Sequence, residues 1–304
     1  MKFLTFTRGD GARLGAPLDG GDVLDLTALL RQAPGAQAAV PTDVAGLIEA
    51  GDSAVETVKA LLADTSRHAA HTVPAGQVRV LAPIARPGKN VFCVGRNYRE
   101  HIIEGNRAAG RDPNDFPKAL ELFSKPWTTV VGTGAPVKRH AKHTRLLDYE
   151  VELAIVIGKG GTDIARDDAL DHVFGYTIIN DVTARDLQKR HGQWFKGKSL
   201  DTFCPMGPWV VHRSAVPDAQ NLQLVMEVNG ELRQDANTSD MLFDVPAIIE
   251  QVSAGLSLHA GDVIATGTPS GVGFAMVPPR CLEPGDVMRA RITGLGELVN
   301  TVVK

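Results

Sequence analysis

The sequence predicts an α+β protein that is mainly β, and three observations predict it. Gly and Pro together make up about one residue in six of 304, above the usual roughly 12%, and they punctuate many short Val/Ile-rich runs. Asn229-Gly230 lies between two alternating segments and is the strongest hairpin signal in the chain. Aromatic residues contribute only 5%, so the core must rest on Val, Leu, Ile and Ala.

In chain order, Lys2 to Thr7 reads as a strand, Gly9-Asp10-Gly11 as a tight turn, and Val23 to Leu26 as a second strand. Helical patterns cover 27–32, 42–50 and 53–64, with Thr42 as an N-cap and Gly51 just beyond the second. These elements make a small N-terminal α+β cap, residues 1–72. Residues 73–89, with Pro74, Pro83 and Pro87, read as a connector to a main domain of 90–304. Its strand candidates are 91–94, 151–157, 173–179, 209–211, 222–228, 231–234, 263–266 and 287–292. Ala260-Gly261-Asp262 and Pro284-Gly285-Asp286 supply turns before the last two. One helix is expected over 245–253, with Gly255 past its end, and a shorter one from near Tyr98. Residues 105–118 have no periodicity and are expected to form a long loop, of the kind that is either a lid or a disordered segment.

Composition excludes several functions. With 32 Lys plus Arg against 35 Asp plus Glu, the formal charge is -3, which gives no general attraction for nucleic acid. No apolar run approaches the roughly 18 residues that span a bilayer, and Arg8 and Asp10 interrupt the start before a signal-peptide apolar region can form. Cys93, Cys204 and Cys281 are few, odd in number and widely spaced, as expected in a reducing, cytoplasmic compartment.

The most informative segment is Asp148-Tyr149-Glu150-Val151-Glu152-Leu153, which runs into an apolar stretch ending at Ile157. Strand alternation places Asp148, Glu150 and Glu152 on one face. Acids entering a core at this spacing repel one another unless neutralised, and a divalent cation neutralises them directly. The run 173–179 ends in Asn180-Asp181 and brings one more carboxylate to a strand end. Oxygen ligands with no Cys/His pair nearby favour Mg²⁺ or Mn²⁺ over Zn²⁺. The competing reading of Glu150 and Glu152 alone is a half-exposed strand with a solvated acidic edge. A second pair, His101 and Glu104, stands three apart on a helix that follows a strand. There a carboxylate on one ring nitrogen would leave the other as a base for water; a surface ion pair is the plainer alternative.

Taken with Gly95-Arg96-Asn97-Tyr98, Asn180-Asp181-Val182-Thr183-Ala184-Arg185-Asp186-Leu187-Gln188, Lys196-Gly197-Lys198-Ser199 and Gly267-Thr268-Pro269-Ser270-Gly271-Val272-Gly273, these segments occur in an order that resembles the fumarylacetoacetate hydrolase family. The resemblance covers about residues 88–304. It implies a mixed β-sandwich roll, a homodimer, and a small anionic keto acid as substrate. It also implies Glu150, Glu152 and Asp181 as ligands of Mg²⁺ or Mn²⁺, with Ca²⁺ able to stand in within crystals. His101 and Glu104 match a water-activating dyad, and Lys198 a catalytic group at the developing oxyanion. Arg96, Arg185, Gln188 and Thr268 match the substrate-binding positions. The first activity it implies is hydrolysis of a C–C bond in an acylpyruvate-type β-diketo acid. The alternative is isomerisation or decarboxylation of 2-hydroxymuconate-like or oxaloacetate-like acids from aromatic-compound breakdown, since the same enolate chemistry proceeds without attack by water. A non-catalytic metal- and ligand-binding β-domain is a third reading, which the intact His101–Glu104 pair opposes.

Other signals are weaker. Gly267–Gly273 has neither P-loop nor dinucleotide-fold spacing. The basic run 138–145 lacks interleaved aromatics and reads as a solvated loop. Ser124-Lys125-Pro126 could reach substrate by position only. Cys93 and Cys204 read as packing residues.

Overall fold

The computed structural model of the protein describes residues 1–32 and 40–304, and one long mixed sheet organises it. At one end β1 (Lys2–Thr7), β2 (Ala12–Pro17), β3 (Val23–Asp25) and β4 (Thr72–Val73) pair in antiparallel order. Between β3 and β4 come α1 (Leu26–Arg31), α2 (Val44–Glu49), α3 (Asp52–Ala63) and α4 (His68–His71). Asp25 and Asp43 cap α1 and α2 by accepting from Ala28 and Gly46 amides. The segment expected as a connector holds β5 (Arg79–Val80), which pairs with β1.

The sheet then continues from β1 through a central set. Its members in spatial order are β14 (Cys204–His212), β12 (Val173–Asn180), β11 (Val151–Ile157), β17 (Val263–Ala265), β6 (Val91–Gly95) and β7 (Glu121–Lys125). The strand β8 (Val130–Val131) joins β14 in parallel. A second sheet runs β16 (Glu231–Asn237), β15 (Gln223–Val228), β18 (Val287–Ile292), β19 (Gly296–Val303) and β9 (Val137–Lys138). A short pair, β10 (Leu147–Asp148) and β13 (Thr183–Ala184), stands apart from both. The remaining helices are α5 (Arg99–Ala108), α6 (Arg185–Arg190), α7 (Phe195–Lys198) and α8 (Val245–Ser253). No helix of the described residues is long and apolar enough to cross a membrane.

Period-two alternation in β11 feeds two cores at once. Val151, Leu153, Ile155 and Ile157 join the cluster shared with the second sheet and α8, while Ala154 and Val156 face the cluster beneath α1 to α3. The result is the mixed β-sandwich roll, with the site at the open end of its central strands.

Several elements depart from expectation. Helix α5 continues through Gly105 to Ala108, into the stretch read as a loop. Its end is fastened by Asn106, which is buried and donates to the carbonyls of Pro113 and Asp115 at 3.4 and 3.2 Å. Those bonds join residues within the segment and leave no trace in apolar periodicity. Strand β14 is longer than the predicted 209–211 because its first half carries Pro205, Gly207 and Pro208, which argue against a strand in sequence. The run 138–145 is not simply solvated: Arg139 is buried and donates to the carbonyls of Thr144 and Arg145, although Lys138, Lys142 and His143 are exposed.

Candidate active site

The register of β11 on β12 builds the acidic centre. Val151 pairs with Asn180, so the residues just outside that pair, Glu150 and Asp181, meet at the sheet's open end. The Asp181 amide donates to the Glu150 carbonyl at 2.8 Å, and the Glu150 amide donates to Asn180 Oδ1 at 3.0 Å. Glu152, one turn of the pleat further on, lies on the same face. All three carboxylates are buried, and one oxygen of each lies within 4.8 Å of the others. The solvated-edge reading of Glu150 and Glu152 is therefore excluded.

Alternation does not extend back to Asp148. The chain leaves strand conformation at Tyr149 and Glu150, and Asp148 turns to accept from the amides of Gly273 and Phe274 and from Arg185 Nε, at 2.8, 3.1 and 2.9 Å. It braces the site and stands outside the acidic centre.

Three cations pair with three of these four carboxylates. Lys198 Nζ donates to Glu150 Oε2 at 2.7 Å and Asp181 Oδ2 at 2.6 Å. Lys125 Nζ, fully buried, donates to Asp181 Oδ1 and to the Val182 carbonyl. Arg185 pairs with Glu150 Oε1 and Asp148. Burial opposes the charge on Glu150, but Lys198 and Arg185 outweigh it and hold its carboxyl down at about 2. Burial likewise opposes the charge on Lys198, and Asp181 and Glu150 more than offset it, so its ammonium is held above the ordinary lysine value. Glu152 differs. Among the described residues it has no cationic partner within ion-pair distance and accepts only from the Gly267 amide, at 2.9 Å. Burial, then Asp181 and Glu150, push its carboxyl well above the carboxylate range. A buried three-carboxylate oxygen donor set with one uncompensated member fits a hard divalent cation.

His101 and Glu104 do meet on α5, with Nδ1 2.9 Å from Oε1. Glu104 is also anchored across the fold, accepting from the Gly271 amide. The pair is thus more than a surface ion pair. The turn 267–273 has one role that its spacing hides: its amides at Gly267, Gly271 and Gly273 bind the carboxylates of Glu152, Glu104 and Asp148. It is an anion cradle, but the anions are the protein's own.

Of these groups, His101, Glu150, Glu152, Arg185 and Lys198 line a cavity of about 730 Å³. Phe123, Trp194, Ile102 and Phe274 give it an apolar wall, and Arg111, Lys189 and Arg190 stand at its exposed margin. Gln188 lines it and accepts from Arg185 Nη1 at 3.3 Å. Thr268 also lines it, but its hydroxyl donates to the Val151 carbonyl and accepts from Gln234. Arg96 reaches the cavity wall while its guanidinium is held by Glu121, Asn106 and the Asp115 carbonyl, so it fastens the segment after α5. Lys125 is read from sequence by position only, and Gln234 is not singled out there. The first sits in an edge strand with no clear alternation and the second in a hairpin, far in sequence from Asp181 and Val151, which they bind. Cys93 and Cys204 are packing residues; burial pushes the Cys204 thiol up to about 12.

The model of the fumarylacetoacetate (FAA) hydrolase C-terminal family matches residues 90–303. Over 226 residues the chain is 53% identical to oxaloacetate tautomerase YisK of Bacillus subtilis, covering 74% of this chain and 73% of that one. It is 39% identical over 308 residues to the mitochondrial oxaloacetate tautomerase fahd2 of Xenopus laevis, covering 100% of this chain and 90% of the relative. Among solved structures, the fumarylacetoacetate hydrolase EaFAH from Exiguobacterium antarcticum matches with a TM-score of 0.81 and 42% identity, over 100% of this chain and 99% of that one. Maleylpyruvate hydrolase from Sphingobium sp. SYK-6, in complex with manganese(II) and pyruvate, matches with a TM-score of 0.75 and 32% identity, over 100% and 99%.

Proposed function

We infer the activity from one premise: the chain belongs to the fumarylacetoacetate hydrolase family. On it we propose a divalent-metal-dependent enzyme that interconverts the enol and keto forms of an oxaloacetate-like 2-keto diacid. The observation that carries this reading is the shared cavity, lined by Glu150 and Glu152 of the buried carboxylate triad and by His101, which Glu104 holds. The names of the relatives support placing the enolate chemistry without water first. C–C hydrolysis, the first expectation from sequence, gives way to its alternative because relatives at 53% and 39% identity are named oxaloacetate tautomerases.

Glu150, Glu152 and Asp181 would hold Mg²⁺ or Mn²⁺. When bound, such an ion supplies Lewis-acid polarisation of a 2-oxo group and its neighbouring carboxylate. The rest of the chemistry belongs to the chain. Two of the three Lys198 Nζ protons are committed to Glu150 and Asp181, which leaves one to donate to the oxygen where negative charge develops. Glu104 fixes His101 through Nδ1, so Nε2 is the ring position that takes the C3 proton and returns it, while the C2 oxygen loses or gains its own. Only C–H and O–H σ bonds are made or broken, while the double bond moves between C2–C3 and C2–O, and no water is consumed. Arg185, Gln188, Thr268 and Arg96 are proposed to orient the carboxylates. We further propose a catalytic unit of 90–304 under a cap of 1–72, a cytoplasmic homodimer. Light scattering on the native protein checks the assembly.

C–C hydrolysis is retained as the second reading, favoured by one observation: the dyad that would activate water is intact and anchored by Gly271. The deciding experiment strips the protein with EDTA, reloads Mg²⁺ or Mn²⁺, and offers enol-oxaloacetate and a set of acylpyruvates. Metal-dependent acceleration of enol absorbance loss, without pyruvate or carbon dioxide, supports tautomerisation. Pyruvate released from an acylpyruvate, with enol decay no faster than buffer, would establish the hydrolase.

A further inference from the structure

Val151 lies between two candidate ligands, Glu150 and Glu152, and its backbone presents a problem that the ladder does not solve. β17 pairs with β11 only from Ala154 to Val156, and its extension ends with the Thr266 amide donating to the Leu153 carbonyl at 3.0 Å. The chain then turns away at Gly267, whose φ is +98°, and sends its amide to Glu152 instead. Two residues back from Leu153, the N–H and C=O of Val151 point to the same side, where no strand remains. Val151 is fully buried, so leaving both groups unmet is costly.

Side chains replace the missing strand. The Val151 amide donates to Gln234 Oε1 at 3.0 Å, and the Val151 carbonyl accepts from Thr268 Oγ1 at 3.0 Å. Gln234 Nε2 in turn donates to Thr268 Oγ1 and to the Pro269 carbonyl, both at 2.8 Å. A β-bulge aims this side chain. Glu227 pairs with Leu232 but Met226 with Gln234, so Arg233 is the extra residue and Gln234 becomes the one fully buried member of β16. The carbonyl of bulged Arg233 also abuts Gly271, where an added Cβ would lie 2.0 Å from it.

We propose that Gln234 is a positioning residue that sets the spacing between the Glu150–Glu152 strand and the 267–273 turn, and through that turn the seat of Glu104. Its effect on metal affinity rests on the ligand reading above; its effect on the turn does not. The test uses full-length Gln234→Met, which keeps the side chain's volume and removes its hydrogen bonds, with Gln234→Glu, which keeps an acceptor for Val151. Two readouts are taken at low temperature on protein shown folded by circular dichroism: Mn²⁺ affinity, and amide exchange of the metal-free protein. Gln234→Met should bind Mn²⁺ about tenfold more weakly and exchange faster at Val151 and across 267–273, with Gln234→Glu intermediate. A residue serving stability alone would lower the unfolding temperature and leave both readouts unmoved, and wild-type values of both would overturn the proposal. Should the wild type bind no Mn²⁺, the ligand reading fails and exchange alone decides on Gln234. Should Gln234→Met not fold, Gln234→Glu is judged by the same two measurements.

Discussion

The Gly271 amide donates to both carboxylate oxygens of Glu104, at 3.1 and 3.0 Å, across more than half the chain. That contact seats the dyad, and it exists because the turn approaches the Arg233 carbonyl more closely than any side chain allows. Gly271 has φ of +100° and no room for a Cβ. Gly271→Ala should therefore destabilise the protein by about 1–3 kcal/mol and lower kcat as Glu104 is displaced. Thermal unfolding with parallel kinetics checks both; an alanine variant with wild-type Tm and kcat contradicts the argument.

His101 and Glu150 should separate chemistry from metal binding. His101→Ala removes the proton carrier and leaves the carboxylates untouched, so kcat should fall about 10²- to 10⁴-fold while Mn²⁺ affinity holds. Glu150→Ala should abolish Mn²⁺ binding and activity together. Titration calorimetry beside steady-state rates shows the contrast, and full turnover by His101→Ala would rule out its proton-carrying role.

Glu152 predicts a proton coupled to metal uptake. Its carboxyl is raised by burial, Asp181 and Glu150, so the folded metal-free protein binds that proton more tightly than the unfolded chain does. Metal-free stability should thus fall as pH rises from the ordinary carboxylate value through the raised one. Glu150, held low, acts in the opposite sense and loses its contribution only as pH falls towards about 2. Saturating Mn²⁺ should cancel the Glu152 slope and release a proton on binding. Unfolding across pH with and without metal, and calorimetry in buffers of different ionisation heat, measure these effects. A binding heat independent of buffer refutes the coupling.

Lys125 and Asp181 form an ion pair with neither side chain exposed. Lys125→Met leaves Asp181 buried with Lys198 as its remaining cation, and should cost about 3 kcal/mol or more. Added Mn²⁺ should restore part of that loss by supplying positive charge. Denaturant unfolding in EDTA and in Mn²⁺ tests this, with equal loss in both as the contrary result.

Much of this site is legible in local sequence because its ligands sit on strongly patterned strands. The strand 151–157 and the helix 245–253 form with the predicted bounds, since continuous apolar runs between turn residues have few other ways to be buried. Residues whose partners lie far away are not legible in this way. Asp148 shares the alternation of Glu150 and Glu152, yet the chain breaks strand conformation between them and gives it to the turn. Arg96 matches a substrate position by resemblance, and the structure adds that its guanidinium holds the segment after α5.

By itself, the sequence determined the fold class, the order of its main strands and the acids able to bind a hard cation, because period and side-chain chemistry are local properties. Only the tertiary structure decided which of those acids share a centre, which lysines neutralise them, and that Glu152 is left without a cation among the described residues. Those outcomes depend on strand register and on where a ladder opens, and both are set by packing between segments that carry no local sign of one another.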